Sequence, residues 1–220
     1  MAEKEQEGYT FRECTRPKLE KWFGLRQSWN SPVLDKWLAM KPAIADNDKI
    51  VLESFQKLLL VGGEVWNEKE LSMHFIGPIL GLVHFVEPYR FNLFSERKIG
   101  AVIAGIHGDI DLSGEPDGMI ATGYWEPQVP MFAISEYKRT LDPTGDPAGQ
   151  ALGAMLVAQK LNTEPIPIYG CYVIGQQWHF LVLEDRYYTM SQAFLAGTDD
   201  VFEIFRILKA LKLIVMDLTV

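Results

Sequence analysis

Residues 115–138 read EPDGMIATGYWEPQVPMFAISEYK, and the fold turns on how this stretch is parsed. Residues 118–121 and 131–137 are strand-like runs, separated by a Gly- and Pro-bearing turn segment. Two adjacent strands are expected. On the second, Glu136 and Lys138 stand two residues apart, so both side chains leave the same face. Phe132 and Ile134 are expected on that face too. A strand that turns from apolar residues to a Glu and a Lys is unusual for a core. Asp117 precedes Glu136 by 136 − 117 = 19 residues, which leaves room for a strand, a turn and a strand back. Asp117 and Glu136 are therefore expected to meet at one end of the strand pair.

The flanks supply the rest of an α/β pattern. On the N-terminal side, Asn67 opens a helix with Glu70 three residues on, the spacing of a capping box. Leu71, Phe75, Ile79 and Leu82 continue its apolar stripe to about Val83. Strands are expected over 85–94 and 100–112. On the C-terminal side, Asp146 and Pro147 open a second helix, whose small residues Ala148, Gly149, Gly153 and Ala154 suit close packing on a sheet. The apolar run 166–174 reads as a buried strand, 178–183 as one more. A last amphipathic helix turns Val201, Phe202, Ile204, Phe205, Leu208 and Leu211 inward. The order is helix, about three strands, helix, strand, with a central mixed sheet flanked by helices. Residues 1–63 read as a helical N-terminal cap without chemistry, and 64–220 as the main domain. Asp46, Asn47 and Asp48 cap one helix of that extension, and Gly62 and Gly63 stop it.

Composition narrows the function classes. The chain has 220 residues, 48% of them hydrophobic and 23% charged, enough to bury a core without disulfides or structural metals. Its two cysteines, Cys14 and Cys171, stand alone, and a reducing cytoplasm is the expected location. The first sixteen residues are charged and lack an apolar h-region, so no signal peptide is expected. No apolar run approaches the ~20 residues that span a bilayer, so no membrane partner is expected. The net charge, 21 − 29 = −8, counts against non-specific coating of nucleic acid but leaves room for a local basic groove. His74, His84, His107 and His179 show no zinc-ligand spacing, and Asp109 and Asp111 read best as a turn or solvated edge.

Asp117, Glu136 and Lys138 remain. Two carboxylates brought together repel unless a cation sits between them. A hard oxygen site of this kind suits Mg²⁺ or Mn²⁺. Lys138 then stands ready to orient a water or to neutralise charge developing on a phosphate.

Pro116 and Asp117, followed by Glu136, Tyr137 and Lys138, resemble the signature of the PD-(D/E)XK nuclease superfamily, the restriction-endonuclease-like fold. The element order over about residues 64–175 is similar to that family's αβββαβ core. The segment from Asn67 and Glu68 to Phe75–Leu80 resembles the first helix of the nuclease domain in type I restriction enzymes, and this places a metal-site glutamate on Glu68. Glu68 lies between Leu71 and Phe75 on the apolar side of the helical wheel, whereas Glu70 fits the cap; Glu70 stays open as the alternative. Gln150 falls where several nuclease branches hold a glutamine close to the site. The resemblance implies metal binding by Asp117, Glu136 and Glu68. It also implies water positioning by Lys138, a 5′-phosphate and a 3′-hydroxyl as products, and nucleic acid, DNA first, as substrate. Members often act as homodimers, which makes a second copy a partner to test for. Lys98, Arg90, Arg97 and Arg139 are candidates for phosphate contacts. Two other readings stay open: a catalytically silent nuclease-fold binding or interaction module, and an unrelated protein in which Asp117 is a turn residue, Glu136 and Lys138 a solvated strand end and Gln150 helix surface.

Overall fold

The β-prone runs around residues 115–138 pair into an open mixed sheet. In chain order the strands are β1 (Glu7–Thr10), β2 (Arg26–Gln27), β3 (Asn92–Phe94), β4 (Ile99–Ala104), β5 (Asp109–Gly114), β6 (Gly118–Thr122), β7 (Gln128–Lys138), β8 (Ile168–Ile174), β9 (Gln177–Glu184), β10 (Tyr187–Met190) and β11 (Phe194–Leu195). The helices are α1 (Arg16–Phe23), α2 (Pro32–Ala39), α3 (Asp46–Gly62), α4 (Glu68–Leu71), α5 (Gly77–Val83), α6 (Pro147–Leu161) and α7 (Asp200–Leu218). The computed structural model describes residues 7–141 and 145–219.

The large sheet runs β2-β10-β9-β8-β7-β6-β3, with β11 added beside β9. β6 and β7 are antiparallel, whereas β7 and β8 are parallel. A parallel pair needs a crossover, and α6 supplies it. β8 lies between β7 and β9 and is buried along nearly its whole length, which explains its continuous apolar run. Alternation along the strands divides the core. Tyr169, Cys171 and Val173 face a cluster with Trp37, Phe75 and Phe205, drawn from the side of α2, α3, α5 and α7. Ile134, Tyr172 and Leu181 face Leu19, Leu152 and Met155, on the side of α1 and α6. The architecture is α/β, a mixed sheet with helices on both faces.

Several expectations change in detail. Residues 85–94 yield only the short β3, because Tyr89 turns to φ 64° and a turn closes from Glu87 to Arg90. Residues 100–112 form two strands rather than one: the Gly105 N–H donates to the Gly108 carbonyl and folds β4 back on β5. That hairpin leaves the large sheet and makes a separate one, ordered β1-β5-β4. Phe132 does not share a face with Ile134. A register shift opposite Ile120 and Ala121 inserts a residue there, and Phe132 packs in the Trp37 cluster while Ile134 packs in the other. After β9, a turn at Asp185, with φ 54°, adds β10, which the sequence reading omits.

The extension 1–63 is more than a helical cap. Residues 1–6 lie outside the described part. Its helices form and Gly62 ends α3 as expected, but Asp46, Asn47 and Asp48 do not cap it: they are the first residues of the helix, Ala45 holds the N-cap position, and no side chain bonds there. However, β1 pairs in parallel with β5, and β2 with β10, so the extension adds an edge to each sheet. Phe11, Cys14 and Leu19 share one core with Ile134 and Met155, which removes any packing boundary at residue 63. Of the small residues of α6, Gly149 and Gly153 serve this contact. A Cβ on Gly149 would lie 2.7 Å from Thr15 Cα and 2.9 Å from Arg16 N. Gly149→Ala is expected to lower stability by about 1–3 kcal/mol, since overpacking against backbone outweighs the gain in helix propensity of ~1 kcal/mol. Urea unfolding of the two proteins measures it.

Candidate functional site

A cleft of about 860 Å³ opens at the C-terminal end of β7, and Glu68, Asp117, Glu136, Lys138 and Gln150 all line it. The local reasons are short-range. The expected capping box fixes the start of α4. The Glu70 N–H donates to Asn67 Oδ1 at 2.9 Å, and the Asn67 N–H donates to Glu70 Oε2 at 2.8 Å. Glu70 is thereby spent on the cap, and Glu68 is the glutamate that reaches the cleft. Asp117 sits just before β6. Its Oδ2 accepts the Tyr137 N–H at 2.5 Å, and its carbonyl accepts the Ser95 hydroxyl at 2.9 Å. That first bond ties the Asp117 carboxylate to the strand that carries Glu136 and Lys138. Gln150 lies in the first turns of α6 and is buried. Gly145, at φ +80°, lets it pass: a Cβ there would lie 2.5 Å from Gln150 Nε2.

Burial makes this cleft unlike the rest of the molecule. Among the described residues the buried polar or charged ones are Ser31, Glu136, Lys138, Gln150 and Thr189, and three of these five meet here. Lys138 Nζ lies 2.6 Å from Glu136 Oε1 and 3.7 Å from Glu68 Oε1. Burial pushes the Glu136 carboxyl up to about 7, and the nearby Asp117 charge adds to the shift; Lys138 opposes it without cancelling it. Burial also raises Asp117, partly offset by the Tyr137 N–H. For Lys138, burial works against the ammonium, but Glu136, Glu68 and Asp117 together raise it.

Glu68 corrects one expectation. Its side chain is 47% exposed at the cleft mouth rather than enclosed by the apolar stripe. A π turn over Ser72–Ile76, closed by the Gly77 N–H on the Ser72 carbonyl, separates Glu68 from most of that stripe. The wheel count of 100° per residue does not hold across it.

Other residues of the cleft escaped the sequence reading. Arg12, Glu96 and Glu115 line it, as do Thr10 and Ser113 from the β1–β5 pair. Glu115 stands beside Pro116 and Asp117 and could have been suspected; Arg12 and Glu96 carry no local signal. Of the four expected phosphate contacts only Lys98 is among the lining residues. Arg97 pairs with Glu126 at 3.1 Å, Arg90 donates to the Met216 carbonyl on α7, and Arg139 is exposed past the end of β7.

Five carboxylates (Glu68, Glu96, Glu115, Asp117, Glu136) face three cationic side chains (Arg12, Lys98, Lys138), a formal balance of 3 − 5 = −2. Among the described residues no three His, Cys, Asp or Glu side chains are gathered as a ready-made metal cage. The donor chemistry still fits a hard cation. The oxygens are carboxylate oxygens, negative charge is in surplus, and the raised Glu136 shows that Lys138 leaves it incompletely compensated. His179 stacks on Tyr172 at 4.5 Å, and Asp109 and Asp111 are exposed on β5, so neither joins this site. No protein-family model matches the chain, and no curated protein matches it. Among the described residues no helix is long and apolar enough to cross a membrane.

Proposed function

We propose that this chain is a divalent-cation-dependent nuclease on a restriction-endonuclease-like core, hydrolysing phosphodiester bonds in DNA. One observation carries the proposal: Glu68, Asp117, Glu136, Lys138 and Gln150, drawn from four separate segments, line one cleft in which a carboxyl is raised to about 7. Asp117, Glu136 and Glu68 would hold Mg²⁺ or Mn²⁺. The ion supplies Lewis acidity at the scissile phosphate and a lowered pKa for water. The remaining work belongs to the chain's own groups. Lys138, held charged by Glu136, donates to the attacking water and positions it, then offsets charge on the phosphate. Gln150 offers an amide fixed by burial, a donor that needs no reorganisation. Arg12 and Lys98 stand on the cleft wall to meet phosphates, and a bound cation would offset the negative surplus of the cleft.

The test is nicking of supercoiled plasmid. Wild-type protein is expected to nick with Mg²⁺ or Mn²⁺ and to stop in EDTA. Asp117→Ala is expected to lower the rate by roughly 100-fold or more, beyond what loss of an outer partner costs. A second reading, a binding module without turnover, draws on the engagement of Lys138 with both Glu136 and Glu68. DNA binding by wild-type protein without nicking under any divalent ion would favour it and overturn the nuclease.

A further inference from the structure

The turn between β6 and β7 carries two large aromatic side chains that the core does not use. Tyr124 is 70% exposed and Trp125 82%, and their rings meet edge to face at 5.2 Å. Exposed aromatics on a loose loop would mean little, but this turn is held. The Thr122 hydroxyl donates to the Val129 carbonyl at 2.8 Å and closes its base. Arg97 clamps Glu126 through contacts of 3.1 and 3.4 Å to its two carboxylate oxygens. That clamp also locates the turn. Glu96 and Lys98, on either side of Arg97, both line the acidic cleft. The aromatic pair stands at the closed end of the hairpin whose open end carries Asp117 and Glu136, and Arg97 ties that turn to the segment from which Glu96 and Lys98 line the cleft.

We infer that Tyr124 and Trp125 form a stacking platform for unpaired bases of the strand whose phosphate enters the cleft. The inference rests on the nuclease reading and names its substrate class: single-stranded or frayed DNA rather than intact duplex. Every base offers a π face, and stacking on exposed aromatic rings is tolerant of sequence. In an intact duplex those faces are covered by neighbouring bases. A polar tip on Tyr124 and an indole on Trp125 suit a wet nucleobase better than a dry protein core. Five residues of β6 at ~3.3 Å each put the turn about 17 Å from Asp117.

The test is fluorescence anisotropy with a labelled twelve-residue oligothymidylate and a duplex of equal length, in EDTA, with plasmid and oligonucleotide cleavage measured separately. Wild-type protein is expected to bind the single strand more tightly than the duplex. Trp125→Ala is expected to weaken single-strand binding by about tenfold, and Tyr124→Ala with Trp125→Ala by about 100-fold. Trp125→Phe is expected to restore most of the affinity, which a polar contact would not allow. Both side chains are exposed, so thermal unfolding is expected to stay unchanged. Unchanged single-strand affinity in the double variant overturns the inference. So does a shift of that variant from dimer to monomer in sedimentation with oligonucleotide binding intact, which would make the pair a self-association surface. Failure of the nuclease reading appears differently, as absence of cleavage by wild-type protein whatever the aromatic variants do.

Discussion

Lys138→Met is expected to reduce metal-dependent strand cleavage by roughly 10²–10³-fold, the range for loss of one preorganised charged donor. It is also expected to make the fold sensitive to pH. Lys138 is the sole cation within 4 Å of Glu136 among the described residues, at 2.6 Å, and both side chains are about nine-tenths buried. Removing one partner of such a pair leaves a buried charge and costs on the order of 3–5 kcal/mol. Methionine retains the unbranched stem, so the change removes charge rather than volume. The raised Lys138 pKa keeps the wild-type ammonium charged through pH 5–8, and its contribution is lost only as pH rises past its ordinary value of 10.5. In the variant, Glu136 escapes its penalty by taking up a proton. The destabilisation is therefore expected to be large at pH 8 and small at pH 5. Urea unfolding at both values measures it, and equal losses at the two would show that charge is not the cause.

Glu136→Gln is expected to lower function and to flatten the dependence of stability on pH. Cleavage and cation binding are expected to fall by about 100-fold or more, since the substitution removes a charged donor. The substitution leaves the buried Lys138 ammonium with Glu68, at 3.7 Å, as its remaining ion-pair partner among the described residues, which lowers stability at pH 5, while above neutral pH relief of the buried Glu136 charge offsets that loss. The carboxyl moves from an ordinary 4.5 to about 7 on folding. Between these values the folded protein holds more protons than the unfolded one, so stability declines as pH rises from about 4.5 through 7. A shift of that size corresponds to about 3 kcal/mol above pH 7, order of magnitude only. Glutamine removes that pH-dependent loss and preserves the shape. Burial raises Asp117 as well, which contributes a loss of the same sign. Denaturant midpoints from pH 5 to 8 check both features: a shallower slope in the variant, and a deficit at pH 5 that shrinks towards pH 8.

The legible part of the fold and site was the local part. Alternation placed Glu136 and Lys138 on one side of β7, and the Asn67–Glu70 capping box was visible though it left Glu70 open beside Glu68, because both depend on residues two to four apart. Non-local pairing was not legible. Nothing in residues 7–10 announces a strand parallel to β5, yet that pairing brings Thr10 and Arg12 to the cleft. Phe132 was misplaced because a one-residue register shift reverses a face, and a period of two does not show where the shift falls. The depth of Glu68 was misjudged because a wheel gives direction but not distance from the surface, and a π turn breaks its phase. The antiparallel hairpin β4–β5 was read as one strand because apolar residues recur at Val102, Ile103, Ile106, Ile110 and Leu112, through and beyond its turn at Gly105 and Gly108.

On the proposed function, Asp117 and Glu136 form a cation site in the β7 cleft. Calorimetric titration of Mn²⁺ at pH 8 into wild-type, Asp117→Ala and Glu136→Ala proteins tests it most directly. Saturable binding to the wild type, lost or weakened about 100-fold in both variants, is expected. No binding to the wild type, or equal binding to all three, would contradict it and leave Asp117, Glu136 and Lys138 as a buried ion-pair network with no metal chemistry.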